Sequence, residues 1–125
     1  MHAHDVYDYA VVRVVPRVER EEFINAGVIV SCQRSGYLQA AMALDEARLL
    51  ALDAQVDLEM VYRHLGSIIA ICEGRPEGGP IAQLPFRARF HWLTAKRSSV
   101  IQTSAVHTGL CLHGDHALER ILQRM

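Results

Sequence analysis

The 125-residue chain has a formal net charge of −1, with 50% hydrophobic and 22% charged residues. That balance fits one globular domain, long enough to bury roughly two thirds of its unfolded surface without a metal or disulfide staple. It argues against a nucleic-acid or anionic-membrane partner, and no apolar run approaches the ~20 residues that cross a bilayer.

The N-terminal MHAHDVYDYA has no Lys or Arg ahead of an apolar core, so it does not read as a signal peptide, and a cytoplasmic location is expected. Residues 1–5 read as a disordered tail ahead of a domain that fills the rest of the chain. The three cysteines, Cys32, Cys72 and Cys111, are far apart in sequence. Each sits in an apolar setting and reads as a small hydrophobe rather than half of a disulfide.

Val6 to Val15 reads as an interior strand, apolar on both faces at its centre and ended by Pro16. Arg13 is its one basic residue. Glu19 to Cys32, EREEFINAGVIVSC, passes from charge to a β-branched run, so a charged connection over Arg17 to Glu22 enters a second strand over Ala26 to Cys32. Gly36 ends a hairpin loop, and Tyr37 to Leu44 is a third strand.

Asp45 is placed to cap a short helix to about Leu52, and Asp57 a longer one to about Cys72. In the longer helix Leu58, Val61, Tyr62, Leu65, Ile68, Ile69 and Cys72 recur at helical spacing, the strongest periodic signal in the chain. Gly74 stops it. Glu73 to Pro85 is a loop rich in Pro and Gly, and Pro85 starts a third helix to about Ala95. Ser99 to Val106 is a fourth strand, Leu110 to Gly114 a connection, and Asp115 caps a last helix with Leu118, Ile121, Leu122 and Met125 on one stripe.

The order of elements favours an α+β domain: a four-stranded, mainly antiparallel sheet with helices packed on one face. The other face is left open or available to a homodimer. The expected core is Tyr9, Val11, Val12, Val28, Val30, Met42, Leu58, Val61, Leu65, Ile68, Ile69, Phe90, Leu93, Ile101 and Leu118, with Trp92 buried beside it.

No P-loop, GxGxxG, GxSxG or HExxH is present. His2 and His4 lie in the tail. His107, His113 and His116 are close in sequence, with Cys111 and Asp115 nearby, but read as solvated loop histidines, so no metal or cofactor is expected. The sharper signal is charge segregation. Gly78 to Gly114 contains no Asp or Glu but holds Arg87, Arg89, Lys96 and Arg97, a formal +4 that leaves −5 for the rest.

Lys96-Arg97-Ser98-Ser99, between a helix end and a strand start, suits a phosphate or carboxylate. Arg13 and Arg97 would hold that anion, Asn25 would orient an amide or hydroxyl, Glu22 would serve as counter-charge or base, and Gln102 would complete the lining. Pairing of these bases with Glu19, Glu21 and Glu22, or with a helix C-terminus, is the plainer account.

YDYAVVRVVPRVEREEFINAGVIV, LDEARL, RFHWLTAKRSSVIQTS and HTGL resemble the bacterial family catalogued as domain of unknown function 3037. The resemblance covers nearly the whole chain, and EEFINAGVIV and RFHWLTAKRSSVIQ are its most specific parts. It implies a small stand-alone protein and carries over no catalytic residues. It also implies a protein partner, a HipA-like kinase, more than a reaction.

Three functions therefore stand side by side. The first is a protein-interaction or regulatory module. The second is a small enzyme or ligand-binding domain with an anion site at Arg13, Glu22, Asn25, Lys96, Arg97 and Gln102. The third is single-stranded nucleic-acid binding through Phe90, Trp92 and the bases around them.

Overall fold

The computed structural model describes residues 5–97, 99–111 and 114–124. Its strands are β1 (Asp5–Val14), β2 (Ile24–Cys32), β3 (Tyr37–Met42), β4 (Ile101–Thr103) and β5 (His107–Cys111). Its helices are α1 (Glu46–Leu52), α2 (Leu58–Glu73), α3 (Phe86–Leu93) and α4 (Gly114–Arg124). Of the expected tail over residues 1–5, Asp5 instead opens β1; residues 1–4, the His113–His116 pair, the Asp115 cap and Met125 fall outside the described residues and side chains.

The chain is α+β, with helices packed against an antiparallel five-stranded sheet. The order is β3-β2-β1-β4, and β5 pairs with β1 on the same side as β4. The first three strands form the expected meander.

Two features correct the expectation of four strands with helices on one face. The expected strand over Ser99 to Val106 shrinks to β4, and β5 follows it, running into the stretch from Leu110 that was expected as a connection; both are antiparallel to β1. Thr103 lies opposite Val12 and His107 opposite Tyr9, so one extra residue separates the two registers. Between them the Ser104 hydroxyl accepts from the Val11 N–H at 2.9 Å, in place of a backbone carbonyl. This is a bulge, which breaks one edge strand into two and turns it.

The second correction concerns α4. Val12, Val14, Ile24, Ala26 and Ile29 face α1, α2 and α3, where Leu49, Val61, Leu65 and Phe90 complete the larger core. Tyr7, Val28, Val30 and Cys32 face the other way and are covered by Ile121, with Leu118 and Leu122 beside it. Both faces of β2 are therefore buried, which explains its near-continuous apolar run.

Local chemistry sets the helix ends. The Asp57 carboxylate accepts from Met60 N–H at 3.1 Å, and that of Asp45 from Arg48 N–H at 3.2 Å. Gly74 ends α2 in a left-handed conformation at φ 69°. Tyr62, expected on the buried stripe of α2, is instead 46% exposed, and its hydroxyl donates to Glu46. Cys32 and Cys72 are buried free thiols.

Candidate functional site

The candidate site lies where β1 ends. Arg13 sits opposite Asn25 on β2 and opposite Gln102 on β4. Side chains directly opposite in a ladder share a face, so these three form one row across the sheet. The row lies on the α4 side, because Arg13 alternates with Val12 and Val14, which point into the larger core.

A register shift between Val12 and Arg13 gives Ala26 no partner on β1. That shift lets Ala26 and Ile24 both point into the core while Asn25 stays exposed. Gly27 follows because a Cβ there would stand 2.6 Å from the Ala41 carbonyl oxygen. The Asn-Ala-Gly motif thus serves strand geometry.

The segment after α3 brings the remaining bases. Arg97 lies 4.2 Å over the Trp92 ring and donates to the Trp92 carbonyl. The helix-end role expected of this base is therefore present. Gln102 donates its amide N–H to the Ser99 carbonyl at 2.8 Å, tying this segment to β4. Trp92, expected to be buried, is 41% exposed. It lies two residues beyond Phe90, so a helix turns it away from the stripe that Phe90 and Leu93 bury.

Arg13, Lys96, Arg97 and Gln102 line one cleft of about 350 Å³, with Phe23 and Glu21 on its wall. The Arg13 guanidinium stands 4.2 Å over the Phe23 ring. Its Nε is buried with no hydrogen-bond partner among the described residues. An unpartnered buried donor of this kind is costly and marks a place for an acceptor.

The other two expected members lie apart from the cleft lining. Glu22 pairs with Arg20 at 3.1 Å across half-exposed side chains. Asn25 holds its place opposite Arg13, exposed to solvent. Glu21 takes the position foreseen for Glu22, because it closes the turn at Val18–Arg20 in a left-handed conformation with φ 57°. A run of three glutamates in the four residues 19–22 does not show which one that turn aims inward.

The electrostatics are uneven. Among the described residues, no carboxylate lies within ion-pairing distance of Arg13, Lys96 or Arg97. The other two bases of the acid-free segment are engaged. Arg87 pairs with Asp8 at 3.1 Å. Arg89 donates to the carbonyls of Ile71 at 2.9 Å, Cys72 at 2.8 Å and Leu84 at 2.9 Å.

Burial pushes the Cys72 thiol beside Arg89 up to about 12, against a smaller lowering by that guanidinium. Such a thiol is a packing group, not a nucleophile. Among the described residues, no His, Cys, Asp and Glu cluster could hold a metal. The cleft's chemistry is that of hydrogen-bond donors and positive charge aimed at a small anionic group.

Residues 9–125 match a family model described as "Protein of unknown function (DUF3037)". No curated protein and no solved structure matches the chain.

Proposed function

We propose that this chain, which belongs to the DUF3037 family, is a binding module whose cleft at the end of β1 receives a carboxylate or phosphate group. One observation carries the reading: Arg13, Lys96 and Arg97 converge on one cleft without an ion pair among the described residues. Like charges brought together repel, and the arrangement gains once an anion sits between them. Arginine forks suit two-oxygen acceptors, and Phe23 and Trp92 hold two of the guanidinium planes in place.

A protein partner, such as the HipA-like kinase expected from the family resemblance, would meet this cleft through an acidic or phosphorylated side chain. The test is thermal unfolding with inorganic phosphate, sulfate or acetate against chloride at matched ionic strength. An anion at 100 times its dissociation constant adds ~2.7 kcal/mol. No upward shift with any of the three would overturn the reading.

One observation favours a second reading. Trp92 is exposed beside Arg97, as a base-stacking platform requires. Its prediction is salt-dependent quenching of tryptophan emission by a single-stranded oligonucleotide. Emission that ignores the oligonucleotide removes it.

A further inference from the structure

We infer that the β4 edge of the sheet docks an extended segment of another protein as an added strand, with acidic side chains on one face and apolar side chains on the other. This rests on the anion-cleft reading and names the cleft's occupant.

The backbone supplies the first argument. Val15 N–H donates to the Val100 carbonyl at 2.6 Å, and Ser104 N–H to the Val11 carbonyl at 2.8 Å. Residues 100 and 104 therefore face β1, and so does Gln102 between them, opposite Arg13. The two-residue period turns the backbone groups of Ile101 and Thr103 outward, away from the sheet. The Ile101 carbonyl accepts from the Ser99 hydroxyl at 2.7 Å. The N–H and C=O of Thr103 have no hydrogen-bond partner among the described residues. An edge with such groups unpaired is a template for another strand.

The two sides of β4 supply the second. Gln102 lies on the face of the cationic cleft. Ile101 lies on the opposite face and lines a groove of about 260 Å³ with Ile68, Leu93 and the exposed Trp92. Arg97 borders both cavities. Successive side chains of an added strand point to opposite faces. One set therefore falls on the cationic side and the other beside the apolar groove, which selects alternating acidic and apolar residues.

Charge also decides against a second copy of this chain. In such a pairing the added strand is the other copy's β4, which carries no acidic side chain to place on the cationic cleft. The acid-free run from Gly78 to Gly114 supplies no counter-charge there.

The test is selection from a random octapeptide library against the whole chain, followed by anisotropy titration of the enriched peptides. Alternating acidic and apolar sequences should dominate. Methylating every second amide nitrogen of such a peptide should weaken it at least tenfold. Thr103→Pro removes only an outward N–H, so it should also lose at least tenfold while still binding inorganic phosphate. Thr103→Ala, which keeps the N–H, should bind peptide like the parent, and Arg97→Ala should bind it at least tenfold more weakly.

Failure to enrich any sequence, or peptides that bind Thr103→Pro as well as the parent, overturns the docking edge. If phosphate still binds in that case, the cleft reading survives alone. If phosphate does not bind either, both fall. An oligonucleotide that binds where peptides do not also overturns the inference.

Discussion

The acid-free segment has two basic halves with different fates. Arg87 and Arg89 stand in α3 and are held by the protein, one by Asp8 and the other by carbonyls at the end of α2 and of Leu84. Lys96 and Arg97 stand a few residues later and meet no carboxylate among the described residues. The four are alike as a run of charge in the sequence. What separates them is the supply of acceptors: α3 lies against a helix end whose carbonyls accept from Arg89, and the later segment lies against Arg13. A basic run becomes a candidate site only where the fold leaves it short of acceptors.

The sharpest way to break this contrast is Arg89→Ala. It removes the hydrogen bonds to the carbonyls of Ile71, Cys72 and Leu84, of which Ile71 keeps the Gly74 N–H, and stability should fall by about 3 kcal/mol in urea unfolding, with phosphate affinity unchanged. Loss of affinity with little loss of stability would reverse the assignment.

Cys72, beside Arg89, offers a second probe of that knot. Its folded pKa of about 12 lies above its ordinary 9.0. Its contribution is therefore complete below pH 9 and is lost as pH rises toward 12, since only the unfolded chain releases the proton in that window. Stability should decline by up to ~1.4 kcal/mol per pH unit there, and a Cys72→Ala variant should show a flatter profile.

For the uncommitted half, Arg97→Ala should weaken phosphate about tenfold in calorimetric titration while changing stability by no more than ~1 kcal/mol, the scale of an exposed cation–π contact. Arg87→Ala should cost only about 0.5 kcal/mol, and less at high salt, because its pair with Asp8 is partly exposed. Similar in size and opposite in sign is Glu21→Gly. It relieves a left-handed backbone and removes the carboxylate on the cleft wall. A gain of about 0.5 kcal/mol and about twofold tighter phosphate are expected.

Much of this geometry was legible in the chain, for identifiable reasons. A short connection joins β1 to β2, so Arg13 and Asn25 had to lie at one end of the sheet, and they are directly opposite. The antiparallel return of β4 brought Gln102 and Arg97 to the same end. The caps at Asp45 and Asp57 and the stop at Gly74 were readable because each acts on its own helix end.

What escaped depended on contacts between elements. His107–Cys111 has a glycine at its centre and weak strand propensity, and it pairs because β1 offers an unfilled edge. The stripe of Leu118, Ile121 and Leu122 was visible, but only packing decides that it covers the second face. Trp92 was expected beside the core, yet its offset from Phe90 carries it out of the core.

The central claim is that Arg13 and Arg97 await an anion while Arg87 and Arg89 do not. Heteronuclear NMR of the arginine Nε–H groups tests it most directly, during a titration with inorganic phosphate at constant ionic strength. The account predicts that the Arg13 Nε–H, buried and without an acceptor among the described residues, moves downfield together with that of Arg97, and that both gain protection from solvent exchange. Those of Arg87 and Arg89 stay where they were. Resonances of Arg13 and Arg97 that remain fixed at saturating phosphate, or that move no more than those of Arg87 and Arg89, would contradict it.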